Sequence, residues 1–105
     1  MRSKIDSYLG FATRSRNLIT GSNTCLFAMN KRQLKLLIIA SDVSENTMKK
    51  MKKAAEDRKV NYRIYSTSDD LSYACGTSGK GVFGITDENF ANVILKEIDG
   101  EQQSE

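Results

Sequence analysis

Residues 36–40 read Leu-Leu-Ile-Ile-Ala and form an uninterrupted apolar run of five residues. A short continuous apolar run is typical of a strand that is buried on both faces. It is far shorter than the ~20 apolar residues that a membrane helix needs. The stretch therefore predicts the central strand of a sheet with helices on both sides.

Outward from this strand, the sequence alternates between helical and strand patterns. Apolar spacing and helix-capping residues predict five helices. They cover residues 3–13, about 21 to 31, a stretch that follows Asp42 and Glu45 and ends at about 58, residues 68–74, and residues 87–100. Shorter strands are predicted at residues 18–19, 60–65 and 82–86. This alternation indicates the α/β class, here a three-layer α/β/α sandwich with a mixed sheet of about four strands.

The chain has 105 residues, which is the size of one domain. We predict a single domain over residues 1–99 and a disordered C-terminal tail over residues 100–105, because Gly100 is predicted to end the last helix. The core side of that helix is predicted to carry Phe90, Val93, Ile94 and Ile98.

Acidic residues stand at the predicted helix starts. Asp42 and Glu45 have the spacing of a capping box. The pairs Asp69-Asp70 and Asp87-Glu88 could do acid–base work or bind metal, but the helix dipole favours negative charge at these positions. Capping is therefore the favoured interpretation.

The composition argues against several classes of protein. Hydrophobic residues make up 39% and charged residues 28%, as in soluble globular proteins. Residues 1–16 contain five charges and no apolar signal core, so secretion is not expected. Two isolated cysteines, Cys25 and Cys75, cannot build a disulfide framework or a zinc site, which favours a reducing cytoplasm. The absence of histidine makes catalysis less expected.

Charge is unevenly distributed along the chain. Residues 1–40 contain seven Lys or Arg and one acidic residue, whereas residues 61–105 contain three and eight. Such polarity favours an electropositive face built by the first half. The alternative is a set of solvated cations that the fold mixes with acidic residues.

The glycine-rich segment Gly76-Thr77-Ser78-Gly79-Lys80-Gly81 invites comparison with a nucleotide-binding P-loop. That motif needs glycine where Ala74 stands and Ser or Thr where Gly81 stands, so the segment is not one. It can form a lip that approaches a ligand closely. On the residues alone, the favoured interpretation is a plain helix-to-strand turn in which Gly76 directly follows the end of the helix.

A second segment, Gly21-Ser22-Asn23-Thr24, is predicted to open a helix and to expose backbone N–H groups that suit phosphate. Asn23, Phe27 and Lys31 are spaced i, i+4, i+8 and share one face, whereas Cys25, Ala28 and Met29 take the core side. Cations, an amide and an aromatic ring can bind RNA. The alternative is that Phe27 packs under a loop and Asn23 only caps the helix.

Several stretches resemble the kink-turn-binding ribosomal protein family of the L-seven-Ae type, and its bacterial YlxQ branch in particular. They are Leu9-Gly-Phe-Ala-Thr-Arg-Ser-Arg16, Gly21-Ser-Asn-Thr-Cys-Leu-Phe27, Lys35-Leu-Leu-Ile-Ile-Ala-Ser-Asp42, Ser41-Asp-Val-Ser-Glu-Asn-Thr47, and Val82-Phe-Gly-Ile-Thr-Asp87 with Phe90-Ala91. The resemblance covers roughly residues 5–98. It implies an α/β/α sandwich that binds sharply bent RNA duplexes built around sheared G·A pairs.

The resemblance also implies particular site residues. Gly21 and Asn23 match the family segment Gly-x-Asn-Glu-x-x-Lys, in which the glycine admits close approach of the RNA and the asparagine contacts a guanine edge. The loop from Gly76 to Lys80 corresponds to the second RNA contact. The full predicted RNA-binding set is Arg14, Arg16, Gly21, Ser22, Asn23, Thr24, Phe27, Lys31, Gly76, Thr77, Ser78, Gly79 and Lys80. Thr24 replaces the family glutamate and Phe27 the family lysine.

The sequence thus predicts a non-catalytic, cytoplasmic RNA-binding protein that grips ribosomal or other structured RNA. No cofactor, metal, membrane or DNA partner is expected. The alternative is a protein–protein adaptor on the same fold, because an aromatic residue on a polar helix face often anchors a partner. An enzyme acting on RNA is less favoured, because the chain has no second domain to bind a methyl donor.

Overall fold

The structure is a computed structural model that describes residues 4–103. Its helices are α1 (Lys4–Arg14), α2 (Ser22–Asn30), α3 (Glu45–Asp57), α4 (Ser68–Ala74) and α5 (Glu88–Gln103). Its strands are β1 (Leu18–Thr20), β2 (Leu36–Ile39), β3 (Asn61–Ile64) and β4 (Val82–Ile85), in the sheet order β1-β4-β2-β3. Strand β2 is parallel to β3 and antiparallel to β4, so the predicted mixed, four-stranded α/β/α sandwich is confirmed.

The apolar run at residues 36–40 divides the core into two layers. Leu36, Ile38 and Ala40 pack in a cluster with residues of α1, α4 and α5. Leu37 and Ile39 point to the other face, where they pack with residues of α2 and α3. All five residues are fully buried, so the strand predicted to be covered on both faces is confirmed.

The strand directions give the sheet two chemically different margins. Strands β1, β2 and β3 run the same way and β4 runs against them. We call the edge where β1–β3 end the carboxyl margin; α2, α3 and α4 begin there. The opposite edge, here the amino margin, carries the ends of α1, α2 and α3.

The predicted capping box at the start of α3 is wrong. The N-cap is Ser44, whose hydroxyl accepts a hydrogen bond from the Thr47 N–H at 3.1 Å. Asp42 instead accepts from the Ser68 hydroxyl at 2.7 Å and from the Ser68 N–H at 2.9 Å. These two bonds lower the pKa of Asp42 and tie α4 to the end of β2. Sequence spacing missed this pair because its members are 26 positions apart.

The predicted end of α5 at Gly100 is also wrong, because the helix continues to Gln103. Contacts between the C-terminal part of α5 and β3 hold the extra turn. Arg63 forms an ion pair with Asp99 at 2.7 Å, and the Gln102 amide donates to the Ile64 carbonyl at 3.0 Å. Residues 100–103 of the predicted disordered tail are therefore helical, and residues 104–105 lie outside the described residues.

Val93 does not join the buried side of α5. It is 40% exposed, whereas Ile94 and Ile98 are fully buried and Phe90 is partly buried against the same core. The inward side of α5 also includes Ala91, and Val93 lies about 100° around the helix from Ile94, on the side away from Ala91. By contrast, Asp87 caps α5 as predicted, because its carboxylate accepts from the Phe90 N–H at 2.9 Å.

Both cysteines lie in the core. Burial raises the pKa of the Cys25 thiol to about 12 and that of Cys75 to about 11. In residues 4–103 no helix is long and apolar enough to cross a membrane. The same part of the chain holds no group of three or more Cys, Asp or Glu residues arranged to bind a metal ion.

These buried thiols should resist modification while the protein is folded. At pH 8 we expect a thiol reagent such as a dithiobenzoate disulfide to label the native protein at least ~100-fold more slowly than the urea-unfolded chain, because only the thiolate reacts. Absorbance of the released thiolate measures the rate. Rapid labelling of the native protein would contradict the described burial of Cys25 and Cys75.

Candidate nucleic-acid interface

The start of α2 depends on the conformation of Gly21. Gly21 is the N-cap, with φ 97° and ψ 146°, a backbone region that only glycine occupies without strain. Its N–H donates to the Val82 carbonyl at 2.8 Å, and its carbonyl accepts from the Cys25 N–H at 3.0 Å. No side chain caps the helix, so the backbone N–H groups of its first turn are available to an anion at the positive end of the helix dipole.

The outer face of α2 carries the predicted polar and aromatic residues. The Asn23 side chain is exposed and makes no hydrogen bond within residues 4–103, and the N-cap is Gly21, so the alternative in which Asn23 only caps the helix is wrong. Phe27 is 61% exposed, so it does not pack under a loop. The Lys31 ammonium lies 5.1 Å from the centroid of the Phe27 ring. On the other side of α2, the core positions of Cys25, Ala28 and Met29 are confirmed.

The glycine-rich loop begins as the helix ending that the sequence predicted. Gly76 has φ 70° and donates to the Tyr73 carbonyl at 3.1 Å, while Thr77 donates to the Ser72 carbonyl at 2.8 Å. This pattern is a Schellman ending of α4. Gly79 also has a positive φ, 69°, and the chain bends there before it enters β4. The loop is thus shaped by two backbone positions that favour glycine.

A buried hydroxyl fixes the far end of this loop. Ser72 is 2% exposed; its hydroxyl donates to the Lys80 carbonyl at 2.9 Å and accepts from the Lys80 N–H at 3.1 Å. Lys80 therefore has a held backbone and an exposed side chain. Ser72 was not predicted as part of the site, because nothing in a helical serine signals a partner eight positions later.

The two predicted segments meet at the carboxyl margin. They border a cleft of about 320 Å³, which we call the docking cleft. Its lining comprises the start of α2, the turn before α3, the start of α4 and the end of the glycine-rich loop: Gly21, Ser22, Val43, Ser44, Thr47, Ser68, Gly79, Lys80, Gly81 and Val82. No acidic residue is among these, and Lys80 is the one charged member. The cleft therefore combines the Lys80 cation with the N-terminal ends of α2 and α3, the two longer helices that begin there. This arrangement favours an anionic ligand.

The side of the docking cleft formed by the starts of α3 and α4 was not predicted as part of the site. Val43, Ser44 and Thr47 come from the start of α3, and Ser68 from the start of α4. The Ser41 N–H and hydroxyl donate to the Ser66 carbonyl at 2.9 and 2.8 Å, which joins the two turns. The shared direction of β2 and β3 brings these turns together. Their predicted position after two strands was the available signal.

Three predicted cations do not line the docking cleft. Arg16 precedes β1 at the amino margin, and the extended chain from there to Gly21 spans about 16 Å. Arg14 lies in the last turn of α1, with its guanidinium 4.9 Å from the Phe11 ring centroid. Lys31 follows the last turn of α2, about 13 Å along the helix from Ser22. Asn23 and Thr24 lie in the first turn of α2, directly after the lining residue Ser22, but do not line the cleft themselves.

Comparison with known proteins identifies the family of the chain. The sequence profile of the ribosomal protein L7Ae/L30e/S12e/Gadd45 family matches residues 3–95. The chain is 32% identical over 100 residues to the RNA-binding protein YlxQ of Enterococcus faecium, covering 94% of this chain and 95% of that protein. It is 29% identical over 91 residues to the RNA-binding protein YlxQ of Bacillus subtilis (strain 168), covering 87% and 91%.

Solved structures share the fold of this chain. A protein of unknown function from Bacillus halodurans C superposes with a TM-score of 0.91 at 28% identity, covering 93% of this chain and 99% of that one. The 15.5kD RNA binding protein of Giardia lamblia superposes with a TM-score of 0.77 at 21% identity, covering 96% and 89%, and supports the fold alone. The chain is a YlxQ-like member of the ribosomal protein L7Ae/L30e/S12e/Gadd45 family.

Proposed function

We propose that this protein is a non-catalytic, cytoplasmic RNA-binding protein that grips a bent, kink-turn-like element of ribosomal or other structured RNA. The observation that carries the proposal is the docking cleft, where Gly21 and Lys80 border one space without an acidic lining residue. The names of the two YlxQ relatives support RNA as the class of ligand.

The proposed mechanism is docking of a preformed surface. Gly21 leaves room for the RNA backbone, and the uncapped first turn of α2 receives a phosphate oxygen or a base acceptor. The exposed Asn23 amide hydrogen-bonds a guanine edge. Lys80 and the loop from Gly76 close over an unstacked nucleotide of the bend. Because this surface fits the bent form, binding shifts a flexible RNA toward it.

Thr24 and Phe27 adapt the surface to a different contact. A hydroxyl accepts a weaker bond than a carboxylate, and a phenyl ring donates none. Phe27 is exposed on the same face as Asn23, so its ring stacks on a base or forms an apolar wall. The proposed RNA therefore departs from a standard kink-turn where the family lysine would reach it.

Asn23→Ala should weaken RNA binding about 5- to 150-fold, because one good base contact is worth about 1–3 kcal/mol. The probes are a kink-turn RNA and RNA recovered by crosslinking to the wild-type protein in host cells. The control is Asn92→Ala, which removes the same exposed amide from α5 on the opposite face. Equal affinity of Asn23→Ala and wild type for both probes would refute the proposed docking.

A protein–protein adaptor is the second candidate, and the exposed aromatic side chains favour it. Phe27 is 61% and Phe11 51% exposed, both on helices. Salt titration separates the two functions. Affinity for RNA falls log-linearly with salt, whereas an apolar protein interface responds little. A complex with a flat salt response would assign this surface to a protein partner.

A further inference from the structure

A second cleft lies at the amino margin and has a different charge from the docking cleft. It is larger, about 710 Å³, and we call it the basic cleft. Arg32, Lys35, Arg58 and Lys59 line it, with Asp57 as the one acidic lining residue. Sequence spacing did not reveal this cluster, because its members come from two helix ends and the residue before β2.

Neutralisation within the protein accounts for little of this charge. The Asp57 carboxylate pairs at 3.5 Å with Lys53, a residue that does not line the cleft. Arg58 donates to the Asn30 side chain at 2.7 Å, which fixes its guanidinium. Among residues 4–103, no acidic group lies within ion-pair distance of the three remaining cations, which are Arg32, Lys35 and Lys59. The cleft is therefore open to an external polyanion.

Backbone geometry adds a second observation. Arg32 and Lys59 follow the ends of α2 and α3 with φ of 59° and 58°, in the left-handed region where glycine is normally preferred. A cation near a helix end gains from the helix dipole, which explains part of their placement. Lys35 has no such explanation, because it precedes a strand and donates its N–H to the Ile85 carbonyl at 2.8 Å.

We propose that the basic cleft binds the phosphate backbone of the same RNA, on the duplex arm that leaves the docking cleft. This inference rests on the proposed function. Helix α2 joins the two clefts, with Gly21 at one end and Arg32 at the other. Eleven residues at about 1.5 Å each give a separation of about 17 Å. A strand of B-form duplex carries a phosphate about every 3.4 Å of axis, and the A-form duplex of RNA is somewhat shorter per base pair, so the span corresponds to about five or six nucleotides.

The outer face of α2 makes the path between the clefts continuous. Phe27 and Lys31 lie on this face between Asn23 and the basic cleft, and Lys31 is exposed. In this arrangement the docking cleft selects the bend, whereas the basic cleft contributes affinity that is independent of base sequence. The two contributions are separable by experiment.

The test is the double variant Arg32→Gly with Lys59→Gly. Glycine suits both left-handed positions, so the variant should remain folded while losing two cations. The matched control is Lys4→Gln with Lys96→Gln, which removes two exposed cations from α1 and α5 on the opposite face. The probes are a kink-turn RNA with a duplex arm of about 12 base pairs and the same RNA with an arm of about three, a length below the separation of the clefts.

For the long-arm RNA we expect the test variant to lose at least ~10-fold in affinity and to flatten the slope of log K against log salt by about 2, while the control keeps both. For the short-arm RNA, test variant and wild type should bind alike. If the test variant keeps the affinity and slope of wild type on the long arm, the proposal is overturned and the cations serve the helix ends.

The same measurements separate this inference from the proposed function. Asn23→Ala reports on the docking cleft, and the glycine pair reports on the basic cleft. Loss of affinity with the glycine pair but not with Asn23→Ala would retain the phosphate site and refute the proposed docking. The reverse pattern would retain the docking and refute the phosphate site.

Discussion

A variant that combines Thr24→Glu with Phe27→Lys should bind a standard kink-turn RNA between about 30-fold and more than 10⁴-fold more tightly than the wild-type protein. The change restores the two family side chains that this chain lacks. A carboxylate accepts from guanine N–H groups and a lysine reaches guanine O6 and N7. Each contact is worth about 1–3 kcal/mol, and every 1.4 kcal/mol is a factor of ten in affinity.

The structure accommodates both changes. Thr24 and Phe27 are exposed on α2, so larger polar side chains meet solvent. Thr24 is the third residue of α2, where an acidic group stabilises the helix dipole. The introduced lysine lies four residues before Lys31, and this like-charge pair costs only about 0.2–0.5 kcal/mol. Folding should therefore be retained.

Fluorescence anisotropy with a labelled kink-turn RNA measures the effect. The control places the same charge pair at the same spacing on α5, as Asn89→Glu with Asn92→Lys, where both positions are exposed. Unchanged kink-turn affinity in the α2 variant would contradict the proposed pose of this helix. Weaker binding of the single variant Phe27→Lys to RNA crosslinked in the host would assign Phe27 its own contact.

Replacing Gly84 with alanine should destabilise the protein by about 1–3 kcal/mol and also weaken RNA binding. Gly84 lies in β4 beneath α2 and pairs with Ile19 and Leu37 in the sheet. A methyl group at this position would collide with Leu34 and lie 3.1 Å from both Cys25 and Ile19. These neighbours belong to a packed layer, so α2 or Leu34 must shift, and overpacking of this kind is destabilising.

Urea unfolding followed by circular dichroism measures this free energy change. Gly100→Ala is the matched control, because Gly100 lies in helix α5 and a methyl group there meets nothing within 4 Å. It should stabilise the protein by up to ~1 kcal/mol through helix propensity. A Gly84→Ala protein as stable as wild type would show that α2 does not depend on this close approach.

Local patterns were sufficient for the layers of the fold. The run Leu36–Ala40 has apolar side chains on both faces, so it had to be a covered central strand. The end of α5 could not be predicted in this way. Gly100 is a usual stop signal, and contacts with β3, such as the Gln102 amide with the Ile64 carbonyl, hold the helix beyond it. A glycine inside a helix is tolerated when such distant contacts offset its cost.

In the candidate site too, features that depend on one helix could be predicted, whereas features that depend on packing between elements could not. Helical periodicity predicted the face shared by Asn23, Phe27 and Lys31, because that depends on one element alone. It could not reveal that Ser72 holds Lys80 or that Asp42 holds Ser68, since both pairs depend on the packing of α4. Arg16 is close to Gly21 in the sequence but not in space, because the length of β1 separates the two residues.

The last turns of α5 also affect how the molecule meets copies of itself. Strand β3 is an outer strand of the sheet, where free backbone groups can pair with a foreign chain. Its Tyr62 and Ile64 carbonyls point the same way, and they are occupied by the Arg63 guanidinium at 2.7 Å and the Gln102 amide at 3.0 Å. An incoming segment must displace both donors before it can add to the sheet, so this border is guarded against aggregation.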